Sequence, residues 1–320
     1  MSIEPAKGQG IPDFTTSRDI IATCVRNLVT NMGFNLRTSP TSRDLELEDK
    51  VIDKFTELGL SSTDFESMRY LHQISCLFAS LCHKRHPMDL KVYIAVYTIL
   101  TIGADDLLLD VPEMHTFTHK FGKHEPQGHP HLDCLARHLV VETPKFFGPF
   151  GTNIIIASTL DAINGLSLES KFPGGFPRSM PGFSWWMRVE VGYGSAFGYF
   201  IFPAAEFPEP EWLGRYVQII PNLRDIICYV NDVISFYKER FLAKENCLVS
   251  NLAREKSCND LSSLASMCEH ALSLNQTIRE ILGLNEELVL AAYNDYMLGY
   301  IEWHFRVGRY KLDELGLTLT

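Results

Sequence analysis

Apolar residues recur at helical spacing along most of the 320-residue chain, and this periodicity constrains the fold more than any other feature of the sequence. No stretch of alternating apolar and polar residues is long enough to predict a β-sheet. The predicted helices cover roughly residues 16–34, 44–59, 63–83, 88–109, 130–147, 150–166, 182–203, 209–241, 243–256, 259–282 and 286–308. The pattern therefore predicts an all-α fold, with one helical domain over residues 16–320 after a mobile tail over residues 1–15.

The charge balance limits the classes of partner. The chain has 29 basic and 39 acidic residues and a net charge of −10, which argues against a nucleic-acid partner. An anionic substrate would need local cations or bound metal. The eight cysteines form no Cys-x-x-Cys pair, and the first 14 residues have no apolar run of the kind found in signal peptides. We therefore expect a reduced, cytoplasmic protein. The oligomeric state stays open, with a homodimer as one option.

The most apolar stretch, Val92–Leu109, carries acids at its end: Asp105, Asp106 and, just beyond, Asp110. These acids favour a buried core helix over a membrane span. Clustered carboxylates repel one another, and a hard cation such as Mg²⁺ is the usual counter-charge. The alternative is a helix end with its acids in solvent, although such acids oppose the helix dipole. Either Asp105 is the sole ligand on its face, or the helix is unwound by Asp110.

A second group of oxygen donors, the Asn-Ser-Glu triad, consists of Asn231, Ser235 and Glu239. Positions i, i+4 and i+8 of a helix share one stripe, so the three side chains form half of a Mg²⁺ site. Lys238 projects from the same stripe, where it is placed to meet an anion. The alternative is a solvated polar face, but the neighbouring residues are apolar, which predicts a helix largely inside the protein.

An aspartate-rich cluster followed about 125 residues later by Asn-Asp-x-x-Ser-x-x-x-Glu resembles the metal-binding pair of class I terpene synthases. With Ser-Phe-Tyr-Lys-Glu and the late Arg309-Tyr310, the chain is most similar to the fungal trichodiene synthase-like sesquiterpene cyclases over roughly residues 70–312. The resemblance implies a helical bundle around an apolar active-site cavity. It also implies three Mg²⁺ ions, with Mn²⁺ as a substitute, and a prenyl diphosphate substrate, usually farnesyl diphosphate.

The resemblance implies roles for the metal-binding residues. Asp105 would bridge two ions, and Asp106 would support the site through hydrogen bonds. Asp110 stands one position late in the aspartate-rich motif, where the fifth position is Leu109. The Asn-Ser-Glu triad would hold the third ion.

Further residues correspond to the parts of this family that handle the diphosphate. Arg188 corresponds to the arginine that senses the diphosphate, and Arg309 with Tyr310 to the pair that grips it on closure. Gly192 falls where a helix break commonly turns a backbone carbonyl toward the cation, although Val191 stands where the family often has an acidic or polar residue. We therefore treat Arg188, Gly192, Lys238, Arg309 and Tyr310 as the predicted catalytic set.

Aromatic side chains near the motifs would stabilise a carbocation through their faces and exclude water. Each of them is individually more often plain core packing. The candidates are Phe78, Tyr93, Tyr97, Phe200, Tyr229 and Trp303.

The predicted reaction is ionisation of a linear prenyl diphosphate and cyclisation to a sesquiterpene hydrocarbon or alcohol. Two alternatives stay open: a prenyl diphosphate synthase or transferase, which normally carries two aspartate-rich motifs, and an inactive helical isoprenoid-binding protein. A histidine-rich segment superficially suggests a zinc site, but its Gly, Pro and Lys content predicts a surface loop. Its histidines are His115, His119, His124, His129, His131 and His138.

Overall fold

The computed structural model describes residues 14–38, 41–60, 62–172, 175–176 and 180–320. These residues form sixteen α-helices and no strand, which confirms the all-α prediction. The first eight are α1 (Phe14–Asn31), α2 (Leu45–Leu58), α3 (Ser62–Ser67), α4 (Arg69–Cys82), α5 (Met88–Leu107), α6 (Phe117–Gly122), α7 (Pro130–Arg137) and α8 (Thr143–Phe146). The others are α9 (Pro149–Glu169), α10 (Phe183–Val191), α11 (Gly194–Tyr199), α12 (Glu209–Tyr216), α13 (Ile220–Tyr237), α14 (Leu248–Glu255), α15 (Asp260–Gly283) and α16 (Glu287–Arg306).

Several predicted helix boundaries were wrong. Residues 1–13 of the predicted tail lie outside the described residues, and residues 14 and 15 already belong to α1. The helix predicted over 209–241 divides into α12, a 3₁₀ turn, α13 and a π-helical turn. Pro221 in the first turn of α13 explains the first break, because proline lacks the N–H that a continuous helix needs. The helices predicted over 63–83 and 182–203 are also interrupted, at Met68 and after Val191.

Helix α5 is the predicted core helix. It is apolar on almost every face, which predicts an interior position, and it packs against α2, α4 and α7. Within the described ranges no single helix is long and apolar enough to cross a membrane. The helix passes that test only together with the segment Pro112–Gly122, from which it is bent by 115°.

Helix α4 packs between α5 and α16, and one glycine permits the second contact. A Cβ atom on Gly299 of α16 would lie 2.0 Å from the carbonyl oxygen of Leu81. Only glycine therefore fits where these two backbones touch. This close contact fixes α16 against α4, which in turn packs against the core helix α5.

The surface loop predicted for the histidine-rich segment was wrong for much of its length, whereas the helix predicted over 130–147 is present as α7, a π-helical turn and α8. Much of it is helical, in α6, α7 and the π-helical turn His138–Glu142. His131 and His138 are buried, and their Nε2 atoms donate to the carbonyl oxygens of Leu100 (2.7 Å) and Tyr93 (3.1 Å) in α5. The prediction failed because two histidines anchor this segment to the core helix, which composition does not reveal.

We expect His131 to make the stability of the fold sensitive to acid. Burial lowers the pKa of His131 to about 4, below the ordinary value of 6.5 for a histidine. Between pH 4 and 6.5 the unfolded chain therefore binds a proton at this residue that the folded chain does not bind. The free energy of unfolding should fall by up to about 3 kcal/mol from this group as the pH drops from 6.5 to 4. The free energy of unfolding of the wild type and of His131→Gln can be measured by urea unfolding at several pH values in this range. Plotted against pH, it should fall less steeply for the variant. Parallel plots for the two proteins would contradict the assignment.

Candidate active site

A cavity of about 510 Å³ lies where α5, α9, α10, α13 and α14 come together. Several of the predicted site residues, which are far apart in the sequence, line it together. Its polar lining residues are Asp105, Glu169, Ser184, Arg188, Asn231, Asp232, Glu239, Glu245, Asn246, Asn251, Arg254 and Glu255.

Two carboxylates enter the cavity from the ends of apolar helices. Asp105 lies in the last turn of α5 and reaches solvent through the cavity, but the surrounding protein raises its pKa to about 6. Desolvation is the main cause, followed by repulsion from Asp106 and Glu169. Desolvation also raises the pKa of Glu169, at the end of α9. Within the part of the chain that the structure describes, no ion pair joins either carboxylate.

The other acids of the aspartate-rich cluster lie elsewhere. Asp106 accepts two hydrogen bonds from Arg309, at 2.7 and 2.8 Å, in a bidentate ion pair. This pair joins the last turn of α5 to the segment after α16, and it raises the pKa of Arg309. Helix α5 ends at Leu107, so the helix is indeed unwound by Asp110, which is exposed and does not line the cavity.

The Asn-Ser-Glu triad spans a change of helical pitch. Asn231 and Ser235 lie on α13, whereas Glu239 lies in the π-helical turn Lys238–Ala243. The predicted stripe is therefore not one continuous α-helical face. Short π-helical turns of this kind are frequent at functional sites. Asn231 and Glu239 line the cavity, and Ser235 is buried behind them. Desolvation, followed by the charge of Asp232, raises the pKa of Glu239 to about 7.

Arg188 of α10 lies beside the triad. Its Nε donates to both carboxylate oxygens of Asp232, at 2.8 and 2.9 Å, and its Nη2 lies 3.3 Å from Oδ1 of Asn231. Burial alone would lower the pKa of Arg188, but Asp232 raises it above the usual value. The guanidinium is therefore a fixed positive charge in the wall of the cavity.

The helix break predicted at Gly192 is present. Gly192 follows the last residue of α10, and Tyr193 (φ 50°) adopts a left-handed conformation before α11 begins. The Tyr193 side chain is buried, and its hydroxyl has no hydrogen-bond partner in the described structure. Strained non-glycine residues of this kind concentrate at functional sites.

Comparison with known proteins identifies the family. A sequence model of the family described as trichodiene synthase matches residues 62–316. The chain belongs to the trichodiene synthase family. It is 26% identical over 289 residues to the (E)-beta farnesene synthase of Metarhizium brunneum, a match that covers 89% of this chain and 87% of the relative. It is 28% identical over 265 residues to the longiborneol synthase of Gibberella zeae, over 81% of this chain and 76% of the relative.

The fold agrees with that family. The solved structure of the linalool/nerolidol synthase from Streptomyces clavuligerus matches with a TM-score of 0.60 at 15% sequence identity. The match covers 85% of this chain and 99% of that chain. The predicted class I terpene synthase bundle and the predicted family are thus both confirmed.

Five of the six aromatic candidates of this trichodiene synthase family member form a buried cluster. The ring centroids of Tyr97 and Phe200 lie 4.8 Å apart, those of Tyr93 and Phe200 5.7 Å, and those of Phe78 and Trp303 5.5 Å. None of them lines the cavity described above. Their contact with a carbocation stays a prediction.

Four other predicted substrate-binding residues also lie away from the cavity lining: Lys238, Tyr229, Arg309 and Tyr310. Lys238 pairs with Glu245, at 2.8 and 2.9 Å, because the π turn brings these residues together. Tyr229 stacks on Trp185, with ring centroids 4.3 Å apart. Neither contact was expected from the stripe pattern.

Two residues were missed by sequence reasoning. Glu169 could have been found from the sequence, because it is the last residue of a strongly apolar helix, much as Asp105 lies in the last turn of the apolar helix α5. His304 had none: it is buried on α16, and its Nε2 lies 3.1 Å from Nδ2 of Asn231. Burial lowers the pKa of His304 to about 3, so its ring is neutral. Tyr310 is also buried here, with its hydroxyl 3.4 Å from the same Nδ2 atom.

The close packing at Gly192 gives a direct test. A Cβ on Gly192 would lie 2.4 Å from Nη1 and 2.8 Å from the carbonyl oxygen of Arg188. Gly192→Ala should therefore lower the free energy of unfolding by about 1–3 kcal/mol and displace Arg188 from Asp232. Gly214→Ala in α12 is the matched control, because a Cβ there meets nothing within 4 Å. Equal stability of the two variants in chemical unfolding would contradict the packing.

Proposed function

We propose that this trichodiene synthase family member is a Mg²⁺-dependent class I terpene cyclase. It would ionise a linear prenyl diphosphate, farnesyl diphosphate above all, and close the carbocation to a sesquiterpene hydrocarbon or alcohol with release of diphosphate. The observation that carries the proposal is the joint lining of one cavity by Asp105, Arg188 and the triad residues Asn231 and Glu239.

The donor set fits a hard divalent cation. Asp105 and Glu169 reach the cavity from the ends of α5 and α9, and Asn231 and Glu239 reach it from α13 and the π turn after it. Carboxylates whose pKa is raised by their surroundings, and which lack an ion pair, are stabilised by a bound cation. Oxygen donors of this kind suit Mg²⁺, with Mn²⁺ as a substitute. Following the family resemblance, we expect three ions; when bound, they would neutralise charge on the departing diphosphate.

Arg188 and Arg309 would bind the diphosphate oxygens. Arg188 donates to Asp232 through Nε and to Asn231 through Nη2, and its other Nη hydrogens would bind an anion in the cavity. Arg309 uses both Nη atoms for Asp106, so a diphosphate would share or replace that contact. Lys238 would contribute only after leaving Glu245. Arg188, which Asp232 holds in place, is the donor of the three that would stabilise developing negative charge without reorganisation.

The aromatic cluster would serve the second half of the reaction. Its rings lie among α4, α5, α11 and α16, and their faces can stabilise a cation that water must not reach. The rings of Tyr193 and Tyr97 are neighbours, with centroids 6.5 Å apart. The Tyr193 hydroxyl, which has no hydrogen-bond partner among the described residues, therefore adds a polar group near this cluster. The identity of the ring system depends on the contour of this region.

Two other functions are weighed against cyclisation. A prenyl diphosphate synthase normally carries a second aspartate-rich motif where this chain has the Asn-Ser-Glu triad. An inactive isoprenoid-binding protein would not need the carboxylates of Asp105 and Glu239, which form no ion pair with any described residue, to face one cavity with Arg188. Both alternatives are outcomes of the experiment that follows.

The reaction is tested by incubating the purified protein with geranyl, farnesyl and geranylgeranyl diphosphates, with Mg²⁺ or with EDTA, and analysing the products by gas chromatography–mass spectrometry. We expect a cyclic sesquiterpene from farnesyl diphosphate that disappears with EDTA. A longer linear diphosphate, in assays that also supply isopentenyl diphosphate, would indicate a prenyl transferase. Unreacted substrate with folded protein would indicate the inactive binding protein.

The triad is tested by Glu239→Ala. Loss of this carboxylate should lower kcat by about 10²- to 10³-fold, because the negative charge on the leaving group is then less well neutralised. Circular dichroism should show an unchanged helical content. Glu280→Ala, which removes an exposed glutamate of α15, is the control and should leave turnover unchanged. A folded, fully active Glu239→Ala enzyme would refute the role of the triad.

A further inference from the structure

The amide of Asn231 must face in one direction to act as a metal ligand. An asparagine side chain presents an acceptor oxygen and a donor NH₂ group of nearly equal shape, so its orientation is decided by its partners. In Asn231, Nδ2 lies 3.1 Å from Nε2 of His304 and 3.4 Å from the hydroxyl of Tyr310. Oδ1 lies 3.3 Å from Nη2 of Arg188.

The tautomer of His304 decides which orientation is stable. Nδ1 of His304 lies 2.7 Å from the carbonyl oxygen of Tyr300. A carbonyl oxygen only accepts, so Nδ1 carries the proton. The buried, neutral ring then has a lone pair on Nε2, which accepts a hydrogen bond from the NH₂ group of Asn231. A reversed amide would set Oδ1 against this lone pair and direct its NH₂ group at Arg188.

Two aromatic neighbours hold the imidazole in place. The ring centroid of His304 lies 4.6 Å from that of Tyr310 and 4.9 Å from that of Trp303. Because Nε2 of His304 and the Tyr310 hydroxyl accept from the same NH₂ group, both of its hydrogens have partners. The other polar atom of the amide, Oδ1, then faces Arg188 and the cavity.

We propose that His304 is a positioning residue that holds the side-chain oxygen of Asn231 toward the metal site. The inference rests on the proposed function, because it requires Asn231 to be a metal ligand. A reversed amide would offer hydrogens to a cation and could not bind it. Neighbours that orient a ligand in this way typically contribute 10- to 100-fold in metal affinity.

The test uses a pair of variants with nearly the same shape. His304→Gln keeps an acceptor near the position of Nε2, whereas His304→Met does not. Metal binding is measured by isothermal titration calorimetry with MgCl₂ in the presence of inorganic diphosphate. We expect His304→Gln to bind Mg²⁺ nearly as tightly as the wild type, and His304→Met to bind it about 10- to 100-fold more weakly. His304→Leu replaces His304→Met if the latter does not fold.

A double-variant cycle separates positioning from a general structural effect. In the Asn231→Asp background the two carboxylate oxygens are equivalent, so no orientation has to be held. In that background His304→Met should therefore cause little loss of Mg²⁺ affinity. His72→Met is the control: it removes a buried histidine whose Nε2 donates to the carbonyl oxygen of Glu48 at 3.0 Å, far along the sequence from the triad. Its Mg²⁺ titration should match the wild type.

The outcomes distinguish the two proposals. Wild-type protein that binds no Mg²⁺ with diphosphate, or a Glu239→Ala variant that binds as well as the wild type, would refute the proposed metal site. If the wild type binds and Glu239→Ala does not, the site stands. Equal binding by His304→Gln and His304→Met, or an undiminished loss in the Asn231→Asp background, would then overturn the role of His304 alone.

Discussion

Repulsion among carboxylates gathered at one end of a helical bundle is the constraint on which the rest of this structure depends. Asp232 and Asp106 are compensated by arginines, through ion pairs with Arg188 and Arg309. Among the described residues Asp105 and Glu239 form no ion pair, and desolvation, followed by the charge of neighbouring carboxylates, raises the pKa of both. Under the proposed function, a net acidic chain could therefore take an anionic substrate: the acids would attract metal, and metal with the two arginines would attract diphosphate.

The fold supplies the rigidity that such a site requires. Helix α5 is buried along most of its length and presents Asp105 at its end. The tight crossing of α16 over α4 at Gly299 fixes the helix that carries His304, while the break after Gly192 brings Arg188 against Asp232. After α13 the helix changes to π geometry at Lys238–Ala243, so Glu239 does not continue the α-helical stripe of Asn231 and Ser235, and Lys238 pairs with Glu245 beyond this turn.

Periodicity was sufficient to predict the helical class and the buried core helix, whereas the helix break at Gly192 was implied by the family resemblance, against the continuous helix that periodicity predicted over 182–203. The resemblance to the family, which rests on local motifs, predicted that Asp105, Arg188 and the triad belong to one site, and Asp105, Arg188, Asn231 and Glu239 line one cavity. The failures depend on tertiary neighbours. The contacts of His131 and His138 with α5, and of His304 with Asn231, join residues 31 to 73 positions apart and leave no periodic signal. The pairing of Lys238 with Glu245 depends on the π turn and on the left-handed Lys244 (φ 57°) that follows it, neither of which helical periodicity reveals.

The central claim is that the carboxylates and the triad form one metal-binding site for a diphosphate. Crystals grown with Mn²⁺ and inorganic diphosphate, with diffraction measured at the manganese absorption edge, test it most directly. The account predicts anomalous density within coordination distance of Asp105 and, separately, of Asn231, Ser235 and Glu239, with diphosphate between the two positions. Well-ordered crystals at saturating Mn²⁺ with no anomalous density at either position would contradict it.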